Sequence, residues 1–326
     1  MQALILAGGE GKRLKPLTNS IPKILLPICN KPALHHLISS LKKQEIVERV
    51  ILSLGNLADK VLSYLSRYDS PLPIEVKVEK EPLDTGGAIK FSAPSGEDFI
   101  VINGDIISDV DYNSMLSFHK AKRAHLTILT VKVKDVSPFG RLLFDGDFRV
   151  KGFLEKTGEK RAGFVNGAIY IMGREILSYF PEGKCSLERD VFPLLVKRKN
   201  FKVYAFLHLG YWMDIGERER YIQLHKDILD FHFPLEYYSF PPHLDEGTII
   251  NQPSLFGEKC IIRKGARIFP YSVLGNYVEV GERAEVRESI LLDGVSVGEG
   301  CKVYRSIIGE GCSLPAGSVI QEEIVS

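Results

Sequence analysis

The sequence has no apolar run approaching the roughly 18–20 residues that a membrane-spanning helix needs. Its five cysteines contain no Cys-x-x-Cys pair, which argues against a disulfide framework or a structural zinc site and favours reduced core thiols. No basic and apolar leader precedes the first predicted strand, so we expect no secretory signal and a cytoplasmic protein. A net charge of +1 gives no electrostatic case for a nucleic-acid or membrane partner.

What the chain does contain, over its first two thirds, is an alternation of strand and helix patterns. Residues 2–7 predict a buried strand that enters a glycine-rich loop, and an amphipathic helix follows from about Pro32. Further strand patterns alternate with helical ones. The strands are predicted at 50–54, 74–78, 99–103, 125–133, 163–172 and 201–206. The helices are predicted at 56–67, 86–92, 111–122 and, last, 217–231. This order predicts an α/β domain with a Rossmann-like mixed sheet over residues 1–232.

The C-terminal part has a different period. After a proline-containing stretch, interpreted as a linker over residues 233–247, apolar residues recur every six positions: Phe256, Ile262, Ile268, Leu274, Val280, Val286 and Leu292. The frame then shifts by one at Val297 and again at Ile308. A helix does not produce this period, whereas the pattern resembles the hexapeptide repeat of the left-handed β-helix. We therefore predict such a domain over residues 248–326.

A phosphate-binding loop is predicted at LAGGEGKRLKPLT (6–18). The residues Leu6, Ala7, Gly8, Gly9 and Gly11 follow the first strand, so that backbone N–H groups can approach a polyphosphate while Arg13 offers a two-pronged donor. The loop is not a Walker A motif, and Leu14 breaks the dinucleotide fingerprint.

Together with PKILLP (22–27), this loop resembles the sugar-1-phosphate nucleotidyltransferases, and the resemblance extends in order through residue 222. It implies that Arg13 contacts the triphosphate and that Lys23 contacts the region of the α-phosphate. It also implies that Glu81, Thr85 and Gly86 bind the nucleotide. A carboxylate at Glu81 accepts hydrogen bonds from the guanine N1–H and N2 amine, which favours GTP.

The resemblance further assigns a metal site and a sugar site. Asp105 ends an apolar strand and Asp214 lies in WMDIG, and the family places magnesium ligands at these positions. Catalysis is thereby predicted to rest on Arg13, Lys23, Asp105 and Asp214. The sugar phosphate is predicted to contact Gly140, Glu155, Lys156 and Asn166. The segment Ser186–Asp190 is interpreted as a capped helix start without a catalytic role.

Several alternatives stay open at this point. Mannose 1-phosphate with GTP is favoured, but heptose 1-phosphate with GTP, or glucose 1-phosphate with UTP or dTTP, fits the same motifs, and Asp84 departs from the glycine frequent in the family. A non-catalytic regulatory subunit that binds nucleotide sugars is an alternative that the full set of charged residues disfavours. Acyl transfer is disfavoured because no histidine follows His243. The repeats suggest a homo-oligomer assembled through the β-helix.

Overall fold

The strands and helices before the repeats follow the predicted alternation in a computed structural model that describes residues 1–154, 158, 160–198 and 200–326. The strands are β1 (Gln2–Ala7), β2 (Pro27–Ile28), β3 (Lys31–Pro32), β4 (Arg49–Leu54), β5 (Ile74–Val78), β6 (Asp98–Asn103), β7 (Ile106–Ser108), β8 (Leu126–Val133), β9 (Arg141–Phe144), β10 (Val150–Leu154), β11 (Gly163–Gly173), β12 (Val203–His208) and β13 (Trp212–Asp214). The helices are α1 (Ala33–Lys43), α2 (Ala58–Leu65), α3 (Asp84–Ser92), α4 (Tyr112–Ala121), α5 (Phe192–Lys197) and α6 (Arg218–Leu229).

By its packing the chain divides into two compact units. One consists of Met1–Gly9 and Leu37–Trp212, and the other consists of Glu10–His36 and Met213–Ser326. The predicted domains, with limits at residues 232 and 247, are each one continuous stretch of sequence, whereas each of these units consists of two stretches. The predicted limits therefore stay a prediction.

The first unit is built on a mixed sheet. Its strand order is β10-β9-β11-β6-β1-β4-β5, and β8 pairs with both β11 and β12. Strand β1 is parallel to β4 and β6, while β11 runs antiparallel to β6 and β8. Since three parallel strands end at one edge, the residues that follow them are placed side by side.

A bulge interrupts β11. Its register against β8 shifts between Asn166 and Tyr170, and Ala168 takes a left-handed conformation with φ of 56°. Bulges redirect side chains and are frequent beside active sites. Here Asn166, paired with Thr130, is the last residue before the register shift.

Three stacks of parallel strands in the second unit confirm the predicted left-handed β-helix. One face consists of β14 (His243–Leu244), β17 (Ile261–Ile262), β20 (Glu279–Val280), β23 (Ser296–Val297) and β26 (Ser313–Leu314). The second consists of β15 (Ile249–Ile250), β18 (Arg267–Ile268), β21 (Glu285–Arg287), β24 (Lys302–Tyr304) and β27 (Val319–Gln321). The third consists of β16 (Ser254–Phe256), β19 (Ser272–Leu274), β22 (Ile290–Leu291), β25 (Ile307–Ile308) and β28 (Ile324–Val325).

The frame of the repeat corrects one predicted inward position. Leu291, not Leu292, pairs with Leu274 and joins the interior cluster. Phe256 pairs with Leu274, which makes that coil 18 residues long, whereas the pairing of Leu274 with Leu291 makes the next coil 17 residues long. The one-residue shift therefore falls between Val286 and Leu291. Two adjacent leucines hid this shift from a six-residue count. Two serines at equivalent corners of successive coils show the same spacing. Ser272 and Ser289 lie 17 positions apart, and each donates a hydrogen bond to a backbone carbonyl.

The third face of the β-helix is apolar on its outer side as well. Leu255, Val273, Ile290 and Ile307 point outward between the interior positions, yet each is at most 2% exposed. Chain segments from before the repeats reach this region: Asn30 donates to the carbonyl of Leu274 at 2.9 Å, and Tyr271 donates to Asp230 at 3.0 Å. The β-helix and residues 10–36 thus form one packed unit.

Candidate active site

The predicted phosphate loop begins where β1 ends. Leu6 and Ala7 close the strand, Gly8 and Gly9 follow it, and the amide of Gly104 donates to the carbonyl of Leu6 at 2.8 Å. Asp105 is half-buried directly after this contact. A Cβ on Gly55 would lie 3.0 Å from the Gly8 carbonyl oxygen, so the loop packs tightly against the end of β4. Asp105 and the loop backbone therefore share one edge of the sheet.

Glu79 supports the predicted base-binding segment and was missed in the sequence. Its carboxylate accepts hydrogen bonds from the Ser53 hydroxyl at 3.0 Å and from the Leu83 amide at 3.1 Å. The intervening Glu81 is exposed. Glu79 is therefore the acid with structural partners here, and Glu81 is the one presented to solvent.

The glycine pair of the same segment makes protein contacts. The amides of Gly86 and Gly87 both donate to the carbonyl of Cys185, at 2.9 and 3.1 Å. A Cβ on Gly87 would stand 2.4 Å from the carbonyl oxygen of Gly183. The hydroxyl of Thr85 accepts from the Leu187 amide at 2.9 Å. Close packing against residues 183–187 thus requires these glycines, and Gly86 stays a predicted nucleotide contact.

Two predicted sugar-site residues meet. The amide of Asn166 donates to the carbonyl of Gly140 at 3.1 Å, and the side chain of Asn166 contacts Tyr170 and Glu188. Burial, followed by the negative charges of Glu188 and Asp105, raises the pKa of Tyr170 well above its usual value. Asn166 therefore links Tyr170 and Glu188 by hydrogen bonds, and the charge of Asp105 acts on the same tyrosine. The predicted residues Glu155 and Lys156 lie outside the described part of the chain.

In the second unit, the predicted cations lie beside the WMDIG aspartate. Gly11 adopts a left-handed φ of 63°, and a Cβ there would contact the Lys23 side chain at 2.8 Å. A Cβ on Gly216 would lie 2.7 Å from Asp214 Oδ1, 2.8 Å from Arg13 Nη2 and 3.5 Å from Lys23 Nζ. Two cations and a carboxylate thus converge on Gly216.

Two further charged residues complete this cluster. Arg13 donates to Glu217 and lies 3.9 Å from Asp214, while Arg220 lies 3.5 Å from Asp214 and 3.0 Å from Glu217. The Gly216 amide donates to Asp214 at 2.6 Å. The run GERER (216–220) contains Glu217 and Arg220, but charge runs usually form solvated surfaces, so the sequence alone predicted no role for either residue.

Two buried histidines contact backbone carbonyls of the chain just beyond Lys23, His36 that of Ile28 and His225 that of Pro27. His36 bonds the carbonyl of Ile28 at 3.0 Å, and His225 bonds that of Tyr221 at 2.9 Å. Burial lowers the pKa of each histidine to about 4. Both rings are therefore neutral at pH 7. In the same stretch of chain, Asn30 at the tip of the β2–β3 hairpin is bonded to the β-helix.

The described residues contain no cluster of three or more His, Cys, Asp or Glu side chains arranged as a metal site. Asp105 and Asp214 are carboxylates with the hard oxygen donors that magnesium prefers, and magnesium is commonly held by one or two carboxylates together with substrate phosphates. The donor chemistry of both residues therefore fits this ion. Within the described chain, no helix has the length and apolar character needed to cross a bilayer.

Comparison with known families assigns both regions of the chain. The family profile "Nucleotidyl transferase" matches residues 2–230, and the profile "GlmU-like, C-terminal hexapeptide" matches residues 243–325.

Similar proteins of known name extend over most of the chain. The mannose-1-phosphate guanylyltransferase of Mycobacterium tuberculosis is 32% identical over 90% of this chain and 79% of its own length. Mannose-1-phosphate guanylyltransferase 1 of Arabidopsis thaliana is 33% identical over 80% of this chain and 74% of its own length. The crystal structure of HddC from Yersinia pseudotuberculosis has a TM-score of 0.63 and 35% identity, and it covers 70% of this chain and 99% of its own. The same protein has been solved in complex with GMP-PN, with a TM-score of 0.62.

Proposed function

Because the chain belongs to the nucleotidyl transferase family and is a sugar-1-phosphate nucleotidyltransferase, we propose that it joins mannose 1-phosphate to GTP, releasing pyrophosphate and GDP-mannose. The named guanylyltransferases support this pair of substrates, and the exposed carboxylate of Glu81 is available to accept from a guanine edge.

The observation that carries the proposal is the convergence of Arg13, Lys23 and Asp214 around Gly216. Two cations at this point neutralise the negative charge of a bound polyphosphate. Arg13 exchanges its contact with Glu217 for phosphate oxygens when the nucleotide binds. The Gly11 turn brings the Lys23 stem against the loop backbone, which fixes the direction of its charge.

The nucleophile in this reaction is an oxygen of the sugar phosphate, which is already an anion. No general base is therefore required, and catalysis consists of holding two repelling phosphates in line and stabilising the charge on the departing pyrophosphate. Arg13 and Lys23 do the latter. Asp105 and Asp214 are the proposed ligands of magnesium, which supplies further positive charge to the phosphates when bound.

The test is pyrophosphate release with magnesium, in which GTP, UTP, dTTP, ATP and CTP are each combined with mannose, glucose and heptose 1-phosphates. We expect turnover that requires both substrates and is abolished by a chelator, with GTP and mannose 1-phosphate the most efficient pair. Higher kcat/KM with another pair would refute the proposed substrates, and no turnover with any pair would refute the catalytic proposal. Assembly through the β-helix and a cytoplasmic location stay predictions.

A further inference from the structure

The turn Cys185–Val191 connects the predicted nucleotide segment with the predicted sugar pocket. Its carbonyl at Cys185 accepts from two amides of α3, and its Leu187 amide donates to Thr85. The side chain of Ser186 accepts from the Arg189 amide at 3.3 Å, and Asp190 accepts from the Ser186 amide at 2.7 Å. The turn is π-helical, a rare conformation that occurs frequently at functional sites. Glu188 lies within this doubly fixed turn.

The side-chain amide of Asn166 is almost fully used within the protein. Its two N–H groups donate to Tyr170 Oη at 2.7 Å and to Glu188 Oε1 at 2.8 Å. Its oxygen accepts from the Ala168 amide at 3.0 Å. Because a side-chain amide has two donor hydrogens, Asn166 has none left for a sugar hydroxyl. Since a carboxylate can only accept and the Ala168 amide can only donate, both contacts require this orientation of the amide.

The Glu188 carboxylate has capacity beyond this contact. An ionised carboxylate offers about four acceptor positions, and the hydrogen bond from Asn166 uses one of them. Glu188 is only partly buried, whereas Asn166 is 6% exposed. Sugar hydroxyl groups are donors that an ionised acceptor binds more strongly than a neutral one.

We propose that Glu188 binds hydroxyl groups of the sugar 1-phosphate, and that Asn166 is a positioning residue that orients the Glu188 carboxylate. This inference rests on the proposed function, since it assigns a sugar-specificity residue to the same site. It reverses two expectations from the sequence, which assigned the sugar contact to Asn166 and no role to residues 186–190.

The experiment compares Glu188→Gln with the wild-type full-length enzyme at saturating GTP. Glutamine keeps the size of the side chain and an oxygen for the Asn166 amide but removes the charge. We expect the KM for mannose 1-phosphate to rise about tenfold, the loss typical of one hydrogen bond to a charged group. The KM for GTP should stay within twofold of the wild-type value. The urea midpoint of unfolding should equal that of the wild type within error.

Glu182→Gln is the matched control, because Glu182 is an acid of the same connection whose side chain is 90% exposed and pairs with Lys90. It should leave all three values unchanged. A double-mutant cycle of Glu188→Gln with Asn166→Ala tests the positioning role. If Asn166 acts through Glu188, the double variant should be no worse than the more impaired single variant, whereas independent contacts would multiply their effects.

An unchanged KM for the sugar phosphate in Glu188→Gln would overturn the proposal, as would an equal loss of GTP affinity together with lower stability, which is the signature of a purely structural role. Calorimetric titration with mannose 1-phosphate separates this result from failure of the proposed function. Wild-type binding that Glu188→Gln weakens supports the inference even without turnover, and equal binding by both refutes it. A wild type that neither turns over nor binds mannose, glucose or heptose 1-phosphate refutes both proposals.

Discussion

Replacing Gly87 by alanine tests whether close packing, rather than the approach of a ligand, requires the glycine pair of α3. The new Cβ would lie 2.4 Å from the Gly183 carbonyl oxygen and 3.0 Å from Leu83 Cβ. The first distance is about an ångström short of ordinary van der Waals contact. Because the oxygen belongs to the backbone, it cannot rotate away, and the connection at 183–187 must move.

The expected free-energy change combines two opposing effects. Overpacking of this kind costs about 1–3 kcal/mol, and alanine recovers up to about 1 kcal/mol through its better helix propensity. Because the clash is with the backbone, we take the upper part of this range, about 2–3 kcal/mol, which leaves a net loss of about 1–2 kcal/mol after a gain of about 1 kcal/mol. Gly146→Ala is the control, because a Cβ there meets nothing within 4 Å and its φ is not left-handed.

Fluorescence of Trp212, the single tryptophan, is a suitable assay because its indole donates to the Gly167 carbonyl at 2.9 Å, in the unit that contains α3. Urea unfolding should show the Gly87→Ala transition at lower urea and the Gly146→Ala transition near that of the wild type. A Gly87→Ala stability within about 0.5 kcal/mol of the wild type, the range of neutral surface changes, would refute the packing argument.

Two further predictions concern the second unit. Lys23→Ala should retain GTP binding but lose about 10²–10³-fold in kcat, the cost of one charge that stabilises the transition state; steady-state kinetics checks this, and near-normal turnover would exclude Lys23 from the chemistry. Since burial lowers the pKa of His36 and His225 to about 4, the unfolded chain binds two protons that the folded chain excludes as the pH falls from about 6.5 to about 4. Stability should accordingly be full above pH 6.5 and fall by about 3 kcal/mol per pH unit below it from these two groups together. Urea unfolding followed by circular dichroism at pH 7, 6 and 5 measures the slope, which His225→Gln should reduce by about half; an unreduced slope would contradict the assignment.

Local periodicity made most of the fold predictable. The pattern at residues 2–7 coincides with β1, and the amphipathic helix predicted from about Pro32 is α1, whose apolar residues Leu34, Leu37, Ile38 and Leu41 are buried. These patterns work because a strand or helix must bury its own apolar face, whatever it packs against. The repeat frame failed only where Leu291 and Leu292 are equally apolar and pairing with Leu274 decides between them.

The candidate site was predictable only where a motif is continuous in sequence. Arg13 and Lys23 fall within such motifs, and the structure places both beside Gly216. The contact between Asn166 and Glu188 joins residues 22 positions apart on a strand and a turn, so no local pattern encodes it. The sequence suggested a helix cap at Ser186, and the cap exists, but the direction of Glu188 depends on tertiary hydrogen bonds to Thr85 and α3.

The packing of residues 10–36 with the repeats changes the role expected of the β-helix. The segment that contains Arg13 and Lys23 belongs to the same compact unit as the coils, and Asn30 ties its hairpin to Leu274. A cation stabilises a transition state only if its position is fixed before the reaction, since otherwise ordering it costs conformational entropy. Support from the coils reduces that cost for residues 10–32, whose own secondary structure is limited to 3₁₀ turns and a two-residue hairpin pairing. We therefore expect the β-helix to contribute to catalysis by supporting Arg13 and Lys23, the cations proposed to bind phosphate, and truncation before the repeats should impair turnover rather than leave an independent catalytic domain.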